Sequence, residues 1–474
     1  MLLTIDIGTS AFKSALWDFD GNRLSFAKVS LSACQNIGLK HEAESGQWLR
    51  AFADCCGRLG DLRGVQAIVI SGNGPSLIPV FGEPGINEKS IFLSAEPARL
   101  WLDRRAVKEA GEVSELMGGF VDAAFFIPKV LYIKNNEPRL YEKTKYFLGC
   151  PEYMAYALCG QAKSVFPSQG FDRWFWNDDI LEKLKLDTAK FPPFINSGDV
   201  YGTLLPEAAA RFGFAHNTPV IAGGPDFFAA IIGAGVCKPE QACDRAGTSE
   251  GINLCTENRI NDWRLLSYGH PVKPYWNLSG VISTTGKAIE WCSNLLDIGN
   301  IEQFYSLAEN AKPGAGALVF LPFLAGERTP YWNPDVNGVW RGLNLSTGRK
   351  EFVRSVLEGI GFAIRDVISV MKETGANVNE LRVTGAAAGS CVLNQIKADI
   401  TGKTVISLVQ KEAELSGLAM IGAITLGEYG SFAEASEKFV RIEKTYEPQP
   451  ENTALYEELF QKYKETCQIG STAL

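Results

Sequence analysis

The stretch "LLTIDIGTS" (residues 2–10) places an apolar run of strand length, one carboxylate (Asp6) and a Gly-Thr-Ser turn side by side. The run reads as a buried strand that stops at Gly8. "AFKSALWDF" (11–19) follows as a second strand, Asp20-Gly21 supplies the positive-φ residues of a tight hairpin, and "RLSFAKVSL" (23–31) alternates as a third. Three antiparallel strands in a row differ from a βαβ nucleotide fold, which puts a helix directly after its first strand. The same pattern returns at "QACDRAGTSEGINLCTE" (241–257), a second strand–Gly-Thr-Ser–strand passage.

Between and beyond these passages, helical and strand segments alternate. "GQWLRAFADCCGRLG" (46–60) reads as a helix, "GVQAIVISG" (64–72) and "TPVIAGG" (218–224) as buried strands, and "PDFFAAIIGAGV" (225–236) as the start of a helix. In the second half, "KEFVRSVLEGIGFAIRDVISVMKET" (350–374) carries apolar residues at helical spacing. "LRVTG" (381–385) is a strand, "CVLNQIKADITG" (391–402) a helix that Gly402 stops, and "LYEELFQKYKET" (455–466) a closing surface helix. The expected fold is α/β, with two halves, 1–240 and 241–474, that each open on a strand–turn–strand. That repetition points to an internal duplication with a cleft between the halves.

At 474 residues the chain suits two domains. Its net charge of −8, with no run of Lys and Arg, argues against a nucleic-acid partner. An anionic small ligand is still allowed, because backbone N–H groups bind phosphate on acidic proteins. No apolar run approaches transmembrane length and no signal peptide is evident, so a cytoplasmic globular enzyme without a membrane partner is expected. The 11 cysteines contain no C-x-x-C and read as reduced thiols; the 3 histidines (His41, His216, His270) are far apart, which argues against zinc or His-driven catalysis.

Three constellations could carry chemistry. A Walker A loop is absent, since "GVISTTGKA" (280–288) has the wrong spacing and Ala288 in place of the hydroxyl. The two Gly-Thr-Ser turns offer another phosphate site: glycine lets successive N–H groups face a phosphate, and Thr9, Ser10, Thr248 and Ser249 add hydroxyls. Each can also be an ordinary turn. "GTSEG" (247–251) formally fits the G-x-S-x-G elbow of serine hydrolases, but only His270 follows it, too soon for the intervening strands. Finally, Asp226 follows a strand and a Gly-Gly-Pro turn and opens an apolar helix, as an N-cap. There the helix dipole and free N–H groups favour its ionised form, which suits a base taking a proton from an alcohol; it can equally be a cap and nothing more.

With these residues in view, the chain resembles the FGGY carbohydrate kinases. "DIGTS" (6–10), "AGGPDFFAAIIGAG" (222–235), "AGTSEG" (246–251), "FLPFLAGERTPYW" (320–332) and "GAAAGSCVLNQIKADITGKTV" (385–405) occur in that family's order. "GVWRGLNLSTGRKEFVRSVLE" (338–358) is similar to its C-terminal signature. "WLDRR", "IPKVLY" and "GERTP" place the likeness in the xylulokinase-like branch. The resemblance implies two actin-like (RNase H-like) domains closing over a sugar and Mg-ATP, and an ATP-dependent kinase for a pentulose such as xylulose, or for another ketose or polyol. An actin- or Hsp70-like ATPase and an inactive sugar sensor are the rival readings, and a homodimer is left open.

By matching position, Asp226 is implied as the catalytic base and Asp6 as the Mg²⁺ residue, acting through water. Thr9, Ser10 and Lys13 are implied at the transferring phosphoryl group, and Gly247 and Thr248 at the ATP phosphates. Gly286, Glu290, Ala387 and Ser390 are implied at adenosine. On the sugar side stand Asn73, Gly74, Pro75, Trp101, Asp103 and Phe227. Asp103 either faces the sugar or forms a surface pair with an arginine on an amphipathic helix. Two departures stand out. "SGNGPS" (71–76) puts Gly74 and Pro75 where the branch carries Met and His, and Phe227 stands where it carries Asn or Gln. Both remove polar side chains from the sugar side, and the expectation is that D-xylulose is a poorer acceptor than another ketose or polyol. "GAAAGS" (385–390) replaces a Gly-Gly-Gly-Ala, with ATP use retained.

Overall fold

The computed structural model describes residues 1–32, 35–86 and 91–472. The chain forms two compact units, residues 1–233 with 414–439, and residues 234–413 with 440–474. The sequence reading gave one break near 240. The structure instead packs segment 414–439 with the first unit, because glycines on the helix Ala413–Thr425 allow close approach. A β-carbon at Gly417 would collide with the Ala229 carbonyl, and one at Gly422 would press on Val69 and Leu2.

The first unit is built on a six-stranded sheet. Its strands are β1 (Leu2–Ile7), β2 (Ala11–Trp17), β3 (Arg23–Ser30), β4 (Ala67–Gly72), β5 (Val200–Thr203) and β6 (Pro219–Pro225), in the order β5-β6-β4-β1-β2-β3. β1, β2 and β3 run antiparallel as expected, while β4 and β6 are parallel to β1 and β5 closes the edge antiparallel. All six residues of β1 are buried, since both faces of the sheet are covered. Leu3, Ile5 and Ile7 join the core that holds Trp48 and Phe52 of the helix Gly46–Leu59, whereas Leu2 meets the helix Ala413–Thr425 on the opposite face. Alternation along the strand therefore turns Asp6, like Leu2, toward that second helix.

The second unit repeats the plan. β7 (Gln241–Ala246), β8 (Glu250–Thr256), β9 (Leu266–Gly269), β10 (Trp276–Ile282), β11 (Glu380–Thr384), β12 (Thr404–Leu408) and β13 (Ile442–Tyr446) stand in the order β9-β10-β8-β7-β11-β12-β13. β7, β8 and β10 form the antiparallel trio, β11 and β12 are parallel to β7, and β13 is the antiparallel edge. Strand for strand, this is the first sheet with β9 added outside. Its core gathers around Val356, Ile360 and Val367 of the helix Arg349–Glu373. Among the described residues 10 cysteines are free thiols, Cys34 lying outside them, and no helix is long and apolar enough to cross a membrane.

Candidate active site

In the first unit, three neighbouring parallel strands end at one level. Ile7 of β1 pairs with Gly72 of β4, and Gly72 with Pro225 of β6. The Gly8–Ser10 turn, the loop 73–76 and Asp226 therefore leave the same sheet edge, the carboxyl ends of parallel strands where open α/β sheets bind ligands. A bulge between Ala222 and Gly224, with Gly224 at φ 76°, bends the end of β6 just before Asp226. Asp226 is half-buried and is the first residue of the helix Asp226–Gly233, so it stands one position inside the N-cap expected for it.

Asp6 is 4 % exposed, lies opposite Lys13 in the β1–β2 ladder, and accepts a bond from Ser71 Oγ at 3.3 Å. Burial first, then the negative charges of Glu414 and Asp226, push its pKa well above the usual carboxylate range; Lys13 and Ser71 pull the other way. Asp6, Asp226 and Glu414 thus share one neighbourhood that is short of positive charge, an environment that fits a divalent cation. Among the described residues no group of three or more His, Cys, Asp or Glu could hold a metal by itself, so phosphate oxygens and water would have to complete the shell.

The Gly8–Ser10 turn is held from both sides. Gly8 N–H donates to the Ala11 carbonyl at 3.0 Å, Leu31 N–H to the Ser10 carbonyl at 2.9 Å, and Trp101 Nε1 to Thr9 Oγ1 at 3.1 Å. Trp101 therefore reaches the turn itself. Asn73 is buried and anchors its loop to β1, with its amide nitrogen donating to the Ile7 carbonyl at 2.9 Å and its oxygen accepting from Ser76 Oγ at 2.5 Å. Gly74 is exposed and Pro75 buried.

Asp103 differs from both sequence readings. It is fully buried in an irregular stretch ahead of the helix Val107–Met117, and Arg105 binds its carboxylate at 2.6 Å while the His41 N–H donates to it at 2.9 Å. The Arg–Asp pair exists, but inside the fold, and Arg105 is bound to Glu42 as well at 2.5 Å. With its oxygens engaged and no surface open to solvent, Asp103 orders the segment that carries Trp101.

Several residues of the site had drawn no notice in the sequence. Lys129 is buried, and its ammonium donates to the carbonyls of Pro75 (2.8 Å), Leu100 (2.7 Å) and Arg99 (3.3 Å). It ties the loop 73–76 to the Trp101 segment, and burial lowers its pKa to about 7. Cys150 and Glu152, on the helix Cys150–Cys159, line a cavity with Asn73, Pro75 and Phe227. Burial pushes the Glu152 carboxyl up to about 7, and the Cys150 thiol well above its usual value, raised further by the charges of Glu152, Asp6 and Asp226. The aromatic run "FDRWFW" (171–176), which forms one wall of this cavity, was the available signal.

In the second unit, Gly247 and Thr248 are exposed at the turn between β7 and β8. The helix Gly286–Leu295 starts directly on them: Gly286 N–H donates to the Gly247 carbonyl (3.1 Å), and Thr285 and Lys287 N–H to the Thr248 carbonyl (both 3.2 Å). A β-carbon at Gly286 would overlap the Gly247 oxygen, and one at Gly385 (φ 85°) the Ala246 oxygen. Small residues thus let the three segments after β7, β10 and β11 converge. Ala387 is half-buried in the turn Ala386–Gly389. Ser390 Oγ caps the helix Cys391–Thr401 by accepting from Leu393 N–H at 3.2 Å. Glu290 is exposed and paired with Lys287 at 2.9 Å. Beneath the turn, Lys397 is buried between Asp244 (2.6 Å) and Glu250.

Comparisons with known proteins identify the family. Residues 1–233 match the N-terminal domain, and residues 245–426 the C-terminal domain, of the FGGY family of carbohydrate kinases. The xylulose kinase of Bacillus subtilis (strain 168) is 27% identical over 98% of this chain and 96% of its own length. Two solved structures from Lactobacillus acidophilus, a ligand-bound xylulose kinase and a gluconate kinase, each superpose with a TM-score of 0.86 at 22% identity. Both cover 100% of this chain and at least 98% of their own. The two domain matches lie in order over most of the sequence, and the chain belongs to the FGGY family of carbohydrate kinases, enzymes that use ATP as phosphoryl donor to a sugar.

Proposed function

We propose that this enzyme transfers the γ-phosphoryl group of MgATP to a hydroxyl of a small ketose, a pentulose such as xylulose, with Asp226 as the base. The observation that carries this reading is the common ending of β1, β4 and β6, which brings Asp226, Asp6, the Thr9–Ser10 turn and the Asn73 loop to one sheet edge. Asp226 takes the proton from the attacking hydroxyl as that oxygen bonds to the γ-phosphorus and the bond from the γ-phosphorus to the β–γ bridging oxygen breaks, ADP leaving with that oxygen. Thr9, Ser10 and Lys13 approach the transferring group from the turn and from β2. Asp6 would hold Mg²⁺, which when bound would neutralise charge on the phosphates. Gly247 and Thr248 take the nucleotide phosphates, with Gly286, Glu290, Ala387 and Ser390 beside adenosine.

Xylulose is supported by the curated relatives of that name. Another ketose or polyol is the second reading, favoured by Gly74, Pro75 and Phe227, which place no polar side chain on the sugar side. Phosphoryl transfer rests mainly on positioning and charge neutralisation, and a general base adds about 10²–10⁴-fold. Asp226→Asn is therefore expected to lower kcat at least about 100-fold while leaving binding of a non-hydrolysable ATP analogue intact, read by thermal shift. Turnover near that of the unaltered enzyme would remove Asp226 from the mechanism.

A further inference from the structure

Lys129 carries its charge into the interior of the first unit. It is fully buried on the helix Phe126–Asn136, and its ammonium donates three hydrogen bonds, all to backbone carbonyls: Leu100 at 2.7 Å, Pro75 at 2.8 Å and Arg99 at 3.3 Å. Burying an ammonium costs far more than burying an apolar side chain of the same length. Around it, Asp103 and Asp122 favour the charged form while Arg99 and Arg105 oppose it. What the ammonium itself bonds is main chain, and that main chain belongs to the two segments that frame the proposed reacting end.

The Pro75 carbonyl lies in the loop 73–76, and the Arg99 and Leu100 carbonyls in the segment that leads into Trp101. Leu77 and Arg99 exchange N–H···O bonds at 2.8 Å, and Lys129 carries that tie two residues back, into the loop itself. One residue beyond Leu100, the Trp101 indole N–H donates to Thr9 Oγ1 at 3.1 Å. A hydroxyl that accepts from Trp101 keeps its own proton for another acceptor, and Thr9 stands in the turn proposed to meet the transferring phosphoryl group. Loop, Trp101 segment and turn thus form one chain of contacts that Lys129 anchors to the helix. An ammonium brings three donors to its three carbonyls, where Gln would bring two and Met none.

We propose that Lys129 is a positioning residue for phosphoryl transfer. It holds the loop 73–76 against the Trp101 segment and, through the Trp101–Thr9 bond, aligns the acceptor hydroxyl with the phosphoryl group. This rests on the kinase reading with Asp226 as the base. Loss of Lys129 therefore acts on the step in which both groups must be aligned, and spares nucleotide binding at Gly247 and Thr248.

The test uses the full chain with MgATP and the acceptor that turns over fastest among D-xylulose, D-ribulose, D-fructose, xylitol and glycerol. It reads ADP release, sugar phosphate, and thermal shift with a non-hydrolysable ATP analogue. Lys129→Met is expected to lower kcat about 100-fold, the cost of reacting groups misplaced by about 1 Å, with the analogue-induced shift unchanged. Lys129→Gln, which keeps two donors and has no charge to bury, should lose less, and it carries the same comparison if the Met variant does not fold. Trp101→Phe removes the indole donor, and in a double-mutant cycle with the Lys129 variant the pair should lose little more than the worse single change. A kcat near that of the unaltered enzyme in the Lys129 variants, or fully additive losses in the cycle, overturns the positioning role. With turnover still lost in Asp226→Asn, that result leaves the kinase reading standing. Absence of acceptor-dependent ADP release from the unaltered enzyme with every one of these acceptors overturns both.

Discussion

Glu152 and Asp6 are both carboxyls that the first unit drives toward their neutral form, for different reasons. At Glu152 the cause is burial alone, opposed by backbone N–H donors; at Asp6 burial is joined by Glu414 and Asp226. The Glu152 pKa rises from 4.5 to about 7 on folding, so the folded form keeps its proton longer. The stability it confers is complete below about pH 4.5 and is lost as pH rises through about 7. Glu152→Gln should remove that dependence: between pH 4.5 and 7.5 the unaltered protein should lose about 3 kcal/mol relative to the variant in denaturant titrations. Parallel curves for the two proteins would show that Glu152 titrates normally. Asp6, Asp226 and the two Gly-Thr-Ser turns were legible in the sequence because each is a local signal, a lone acid or a turn beside an apolar run. Glu152, Glu414 and Lys129 were not, since what matters at each is the packing around it. Asp103 was misread for the same reason: Arg105 follows it by two residues, but nothing local says that the pair is buried.

At the scale of elements, the loops proposed to take the nucleotide depend on how closely strand ends and helix starts can approach. Gly286 is packed on the Gly247 carbonyl, and Gly286→Val would drive the helix Gly286–Leu295 off the turn. Its expected signature is a KM for ATP raised about ten-fold or more with the KM for sugar little changed, at a stability cost of about 1–3 kcal/mol. An unchanged KM for ATP would separate this helix start from nucleotide binding. Lys397 joins three elements, bonding to Asp244 of β7 and to Glu250 at the start of β8 from the helix Cys391–Thr401. Burial and Glu250 raise the Asp244 pKa, while Lys397 holds Glu250 below its usual range. Lys397→Met leaves two buried carboxyls facing each other and should cost about 3–5 kcal/mol in urea unfolding. A loss under about 1 kcal/mol would mean that protonation of Asp244 relieves the site. The principal strands and helices were readable from their apolar periodicity and from Gly at the stops. The position of Asp226, one residue inside its helix, was not, because the strand runs straight into the helix through the Gly224 bend.

At the scale of the molecule, the duplication anticipated from two Gly-Thr-Ser hairpins extends to the whole sheet, with matching strand orders and directions in the two units. The capture of residues 414–439 by the first unit was beyond the sequence reading, since it depends on Gly417 and Gly422 meeting residues nearly 200 positions or more away along the chain. Membership in a family of carbohydrate kinases predicts that ATP turnover is coupled to an acceptor alcohol. The most direct measurement is ADP release by the full chain with MgATP, with and without a panel of small ketoses and polyols, each paired with assay of the phosphorylated sugar. Release that rises steeply with one acceptor, and equals the sugar phosphate formed mole for mole, is the predicted result. Steady ADP release at one rate, whatever sugar is added and with no sugar phosphate formed, would contradict it.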